Sequence, residues 1–221
     1  MNASIVFKIT TITLLSIFTS DAFSQNSIYA FSGPNLSLVS GYKNDKFFKT
    51  TNKFGYIAGM GVERKIKNNS ASLEISFAIN KFEMKAGPYF FPGDLPTGSG
   101  SFYNTKYSIK NINITPIFRY NLIKKRLYIP LGVGLQKSFP TVESELITPD
   151  RSSESQVIFY QIPNVNISIN AGLTFFINKT NRPSVFISSR YSRNLISIKP
   201  QFPGYKKINI SSISVLLGIS I

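Results

Sequence analysis

No cysteine, no histidine and no tryptophan occurs anywhere in the chain. The first absence excludes a disulfide framework and a lipid-anchoring cysteine, so pairing and packing alone must hold the fold. The second removes the commonest general base and the commonest metal ligand. Without either residue the usual His-assisted serine or Cys–His nucleophile cannot be built, and no catalytic residue is assigned. Acids are scarce too, 10 Asp and Glu against 25 Lys and Arg. There is no G-x-x-x-x-G-K-[ST] phosphate loop and no cluster of metal ligands, so neither cofactor nor metal is expected. Glu143 and Glu145 could do acid–base work in principle, but neighbouring loop glutamates are more often solvated surface. Nor does any apolar run reach the roughly 20 residues that a spanning helix needs.

What the chain does have is long alternation. In 164–177, Val165, Ile167, Ile169, Ala171, Leu173, Phe175 and Ile177 share one parity, and Asn164, Asn166, Ser168, Asn170, Gly172, Thr174 and Phe176 the other. Strand side chains alternate between faces, so this stretch makes one unbroken oily face and one small, polar face. Soluble strands need about five or six residues, whereas a tilted strand crossing a bilayer needs roughly 9 to 11.

The first residues read as a secretory signal: Lys8, then the apolar Ile9–Phe18, then Ala22-Phe23-Ser24 as the cleavage site before Gln25. Residues 1–24 are therefore expected to be a signal peptide and 25–221 an outer-membrane β-barrel domain.

Eight strands follow. The first falls within Tyr29–Tyr42, and the second, Lys53–Ile66, has Gly55, Gly59, Gly61 and Glu63 on its inner parity. The third starts near Ala71, with Leu73, Ile75, Phe77 and Ile79 outward, and its parity is read as slipping after Ile79. A long Pro/Gly/aromatic loop is expected over Lys85–Phe102, then a fourth strand to Tyr120 containing an awkward Pro116. Proline gives up a ladder donor, so a bulge or a locally open seam is needed there. The fifth strand is Leu127–Ser138, followed by a long acidic loop holding Glu143, Glu145, Asp150 and Glu154. The 164–177 strand, a seventh over Ser184–Leu195 and a last one to the terminus complete the set. Connections alternate long and short, as in outer-membrane barrels with long extracellular loops and short periplasmic turns. The fold class is all-β: an eight-stranded antiparallel up-and-down transmembrane β-barrel in the cell outer membrane.

The AFSQ junction, GPNLSLVSGY, INITPIFRY, LYIPLGVGL and the alternating final strand resemble the small, porin-like outer-membrane β-barrel proteins of the Bacteroidetes type. Pro116 before an apolar-basic-aromatic ending is the most specific part. The resemblance covers most of the mature chain and implies an eight-stranded barrel, with almost nothing said about activity. One branch of the family resembles a component of a protein secretion system. The chain departs from the usual outer-membrane pattern at its end, finishing in Ile221 where many barrels finish in an aromatic residue.

Two groups of candidate functional residues emerge. Glu63, Glu74, Arg119 and Arg190 fall on the inner parity, where buried charges must pair, so a lumen charge network is expected, with a gate or proton path as the sharper reading. Tyr89, Phe90, Phe91, Phe102 and Tyr103 form an aromatic group at the second long loop, either a contact patch or part of an interfacial belt. The basic excess at Lys65, Lys67, Lys124, Lys125, Arg126, Lys179 and Arg182 flanks apolar strands, which suits membrane lipid and not nucleic acid.

The expected function is a structural, adhesive or accessory role in the outer membrane, not catalysis, in a monomer that contacts lipid and a cell-surface or periplasmic protein partner. Two alternatives stay open: a selective transport or protein-secretion component, and a soluble lipocalin-like carrier of a hydrophobic ligand, whose polarity would be reversed.

Overall fold

The computed structural model describes residues 26–41, 48–89, 101–123, 126–147, 152–154, 160–177, 183–200 and 207–221. The expected signal peptide lies outside these residues. The strands are β1 (Asn26–Ser40), β2 (Phe48–Ile66), β3 (Asn69–Tyr89), β4 (Ser101–Ile123), β5 (Leu127–Ile147), β6 (Ser152–Glu154), β7 (Tyr160–Gln161), β8 (Val165–Phe176), β9 (Ser184–Asn194), β10 (Lys199–Pro200) and β11 (Asn209–Ser220). Eight of them close a ring in the order β1-β2-β3-β4-β5-β8-β9-β11, every pair antiparallel. The first and last strands seal it, with mutual backbone bonds between Ile28 and Ile221. The short β7 and β10 pair with each other outside the ring.

The polarity is inside out. Ile167, Ile169 and Leu173 are 40, 47 and 50% exposed, while Asn166 and Ser168 are 2 and 3% exposed. The same division runs round the ring, from Met60 and Ile75 through Ile114, Val133 and Ile187 to Val215 and Leu217, all exposed. Along β8 the apolar parity spans 165–177, about 40 Å of strand and roughly 28 Å of height at a tilt near 45°. That matches an apolar band of about 25 Å, and only a hydrocarbon solvent accepts it. With short turns at one end and long connections at the other, this is the architecture of an outer-membrane barrel. The soluble carrier, which needs its apolar face inward, is set aside by these exposures.

Pro116 is accommodated by an open seam. The β4–β5 ladder pairs Ile114 with Leu135, skips two positions, and resumes at Ile117 with Gly132 in unchanged register. Pro34 is handled identically, between Ser32–Leu217 and Asn35–Ser214. A true bulge lies instead on β2, where two residues separate Lys53 from Tyr56 but only one separates their partners Lys81 and Ile79.

Three expectations are corrected beyond the band. Parity does not slip after Ile79: Phe82 and Met84 stay inward and buried, and Lys81 and Lys85 stay outward. What changes is the solvent outside, so the outward residues become charged and the inward ones apolar. The long loop is shorter than Lys85–Phe102, because β3 continues to Tyr89 and β4 begins at Ser101. The acidic loop is also partly strand: β5 runs to Ile147, placing Glu143 opposite Lys106 and Glu145 opposite Asn104. Strands β2 to β5 therefore rise past the membrane as a tall wall, while β8, β9 and β11 stop lower.

Candidate functional site

The lumen is filled in layers. Nearest the short turns, Tyr29, Phe31, Tyr128, Phe176, Phe186 and Leu216 form an apolar cluster. Rings meet edge to face, Tyr29 against Phe186 at 6.0 Å and Tyr128 against Phe176 at 5.6 Å. Glycines make room for them on facing strands. A Cβ on Gly218 would lie 2.1 Å from Phe186 Cζ, and one on Gly61 would lie 2.5 Å from the Tyr29 ring.

The four charges sit against this cluster. Glu74, on β3, accepts from Arg119 Nη2 at 3.0 Å and from Arg190 Nη2 at 2.9 Å. A second bond runs from Arg190 Nη1 to Glu74 Oε2. Arg119 Nη1 lies 2.8 Å from Glu63 Oε2, an ion pair too bent for a hydrogen bond. The structure thus brings Glu63, Glu74, Arg119 and Arg190 into one chain of contacts, with two charges of each sign. Sequence reasoning missed Tyr29, whose hydroxyl donates to Glu74 Oε1 at 2.6 Å and whose ring lies 4.4 Å beneath the Arg119 guanidinium. The Arg119 Nε has no acceptor among the described residues. Arg190 likewise rests over Phe31, at 4.9 Å.

Glu74 and Arg190 also floor a small cavity of about 50 Å³, walled by Asn, Ser, Thr and Gln side chains of the middle lumen together with Ile57, Ala78, Ile117 and Ile210. That volume is room for a few waters. Wall groups bond one another, Asn35 Nδ2 to Asn80 Oδ1 at 2.5 Å, Asn113 Nδ2 to Ser76 Oγ at 3.3 Å and Asn170 Nδ2 to Ser168 Oγ at 3.2 Å, and Gln136 Nε2 donates to the neighbouring Asn111 Oδ1 at 2.9 Å. Nearer the long connections, Phe82, Met84, Tyr107, Ile109, Tyr160, Ile162, Ile198, Ile208 and Ile210 form a second apolar cluster. Phe82 and Tyr107 stack there at 4.7 Å. The polar layer thus lies between two greasy ones.

The aromatic group is less defined. Tyr89, Phe102 and Tyr103 have strand backbone, paired with Ser101, Ile147 and Ala86. Their side chains, and Phe90 and Phe91 altogether, lie outside the described residues. Of the expected basic residues at the short turns, Lys65, Lys67 and Arg126 are exposed there, while 124, 125, 179 and 182 lie outside the described residues. A second basic group, not foreseen, occupies the outer face of the wall: Lys49, Lys53, Lys81, Lys85, Lys106 and Lys110, all exposed. Only strand register could have found it, because the residues are scattered over 49–110.

No family model matches the chain, and no curated protein matches it either. Among solved structures, the barrel is similar to Ail, the attachment invasion locus protein of Yersinia pestis, solved in complex with the heparin analogue sucrose octasulfate. That likeness is at 14% identity and a TM-score of 0.47, covering 89% of this chain and 99% of that one. The outer membrane protein OprG of Pseudomonas aeruginosa follows at 11% identity and 0.46, covering 89 and 96%. The outer membrane protease OmpT of Escherichia coli stands at 8% and 0.44, covering 88 and 95%. At such likeness no residue correspondence follows, and the barrel stands on its own strand pairing.

Proposed function

We propose that the chain is an integral outer-membrane protein whose lumen is filled for stability and whose work is done at its surface, in a structural, adhesive or accessory role without catalysis. The observation that carries this is the layered lumen, in which two apolar clusters enclose a bonded polar layer and an ion chain. An eight-stranded ring encloses little more than its own side chains, so each layer is an obstruction to solute. The absence of His and Cys supports a non-catalytic reading. In this reading residues 1–24 direct export, the barrel is a monomer in contact with membrane lipid, and a cell-surface or periplasmic protein is its partner. Its kinship is with the porin-like Bacteroidetes-type barrels, on the motifs around Pro116 and Pro130.

A second reading, selective transport, is favoured by the cavity of about 50 Å³ and its ionic floor. Single-channel recording on the reconstituted full chain separates the two. The expected trace shows no steady conductance, and Glu74→Gln leaves it unchanged. Stepwise openings that Glu74→Gln makes more frequent would favour a gated conduit and retire the filled-lumen reading.

A further inference from the structure

The β2–β3 pairing has an electrostatic oddity. Its register sets Lys53 directly opposite Lys81 and Lys49 directly opposite Lys85. All four are exposed on the outer face of the wall. Like charges directly opposed across an antiparallel pair are destabilising. Glu83 lies between the two lysine pairs and reaches only one of them, Lys53 Nζ at 3.3 Å. The adjoining β4–β5 pairing, by contrast, sets Lys106 opposite a carboxylate, Glu143. Among the described residues the quartet therefore sets four cations against the one carboxylate of Glu83, a cationic face open to an anion from outside.

Its position says which anion. Just below Lys53 the β2 bulge turns both Phe54 and Tyr56 outward, 70 and 49% exposed, beside Phe77 at 42%. This apolar step is the upper margin of the hydrocarbon band. Bulges of this kind re-aim side chains at sheet margins. A ligand fitting both features carries acyl chains below and phosphate above. The two lysine pairs are four residues apart along each strand, about 13 Å. A simple phospholipid with one phosphate meets only one pair, whereas a sugar headgroup bearing two phosphates reaches both. We infer that the outer face of β2 and β3 binds a doubly phosphorylated glycolipid of the outer leaflet, through Lys49, Lys53, Lys81 and Lys85 above and Phe54 and Tyr56 below. The inference rests on the membrane reading given above.

The test uses the full chain refolded into phosphatidylcholine nanodiscs and titrated with bis-phosphorylated lipid A, its fully dephosphorylated form, inorganic pyrophosphate and heparin. Insertion is checked first, by the heat-dependent gel shift of folded barrels. Saturable binding of the phosphorylated glycolipid is expected, with no more than trace binding of the other three. Lys53→Gln with Lys81→Gln, and separately Lys49→Gln with Lys85→Gln, should each weaken it by about tenfold or more. The corresponding Lys→Arg pairs should keep it. Equal binding by the Gln variants, or of the dephosphorylated lipid, overturns the inference. Pyrophosphate binding as tightly would mean a free anion site, and heparin binding more tightly a glycan surface; either also overturns it. A chain that inserts and binds nothing defeats this inference alone, while one that fails to insert defeats the membrane reading.

Discussion

Replacing Glu74 by Gln keeps the shape of the side chain and removes its charge from the centre of the lumen. Glu74 is 3% exposed and accepts from Tyr29 at 2.6 Å, Arg119 at 3.0 Å and Arg190 at 2.9 Å. An amide offers one acceptor oxygen and turns two N–H donors toward guanidinium donors. The interior then holds two buried cations against Glu63 alone. Removing one member of a buried ion pair costs about 3 to 5 kcal/mol. Two features bring the expectation to the low end, about 3 kcal/mol. Arg119 keeps Glu63 at 2.8 Å, and the cavity of about 50 Å³ beside Arg190 lets water share its charge. Arg190→Gln alone should cost less, because Glu74 retains Arg119 and Tyr29. The double substitution Glu74→Gln with Arg190→Gln restores the balance of charge, so it should cost clearly less than the sum, with a coupling of about 1 to 3 kcal/mol. Urea unfolding in lipid vesicles measures this, followed by the gel shift because the chain has no tryptophan. A Glu74→Gln barrel within about 0.5 kcal/mol of the parent, or strictly additive losses, would show that the ion chain is not what holds this layer.

Two further outcomes follow from the same geometry. Ile169→Arg places a charge in the middle of the outward band and should destabilise the inserted barrel by about 2 to 4 kcal/mol, whereas Lys81→Gln, above the band, should leave unfolding nearly unchanged; equal effects would misplace the membrane. Gly218→Ala sets a methyl where the Phe186 ring lies, 2.1 Å from its Cζ, and should cost about 1 to 3 kcal/mol in the same unfolding assay, with Phe186→Leu added on top recovering part of it.

Alternation in 164–177 is legible in sequence because hydrocarbon outside obliges every second residue to be apolar. Where the outside solvent changes, the same alternation becomes hard to read. Lys81, Phe82, Glu83, Met84 and Lys85 keep perfect parity with reversed chemistry, and that reversal reads as a slip. Glu143 and Glu145 look like loop for the same reason, although Val142 between Thr141 and Glu143 still turns partly inward on β5. The four lumen charges are legible as inward residues, each from its own strand. Their meeting is not: Arg190 and Glu74 are 116 positions apart, and only ring closure and tilt decide which inward residues share a level. Tyr29 escaped notice because the first strand carries little alternation around Gly33 and Pro34. The opposed lysines depend on register across β2 and β3, which the bulge after Lys53 resets.

The order of layers in the lumen follows from what lies outside the wall. Within the band an outward Ile gains nothing from burial against its neighbours, since lipid is as apolar as protein. Cohesion there must come from the closed backbone ladder and from polar contacts inside, where low dielectric makes hydrogen bonds and ion pairs strong when satisfied. The Asn, Ser and Gln layer and the Glu74–Arg190 pair sit at that height. Above the band, towards the long connections, the outer face returns to water at Lys81, Lys85 and Lys106, and burying apolar surface becomes favourable again. There the inward side chains turn greasy, at Phe82, Met84 and Tyr107, whereas Tyr128, Phe176 and Phe186 near the short turns lie behind an outer face that is still apolar, at Phe175, Ile177 and Ile187. One rule, that the inner face supplies the cohesion the outer solvent withholds, thus accounts for the polar middle and the apolar layer above it, while the lower cluster owes its place to rings packed over Gly61 and Gly218. Among the described residues the two apolar clusters are also the layers that water enters least.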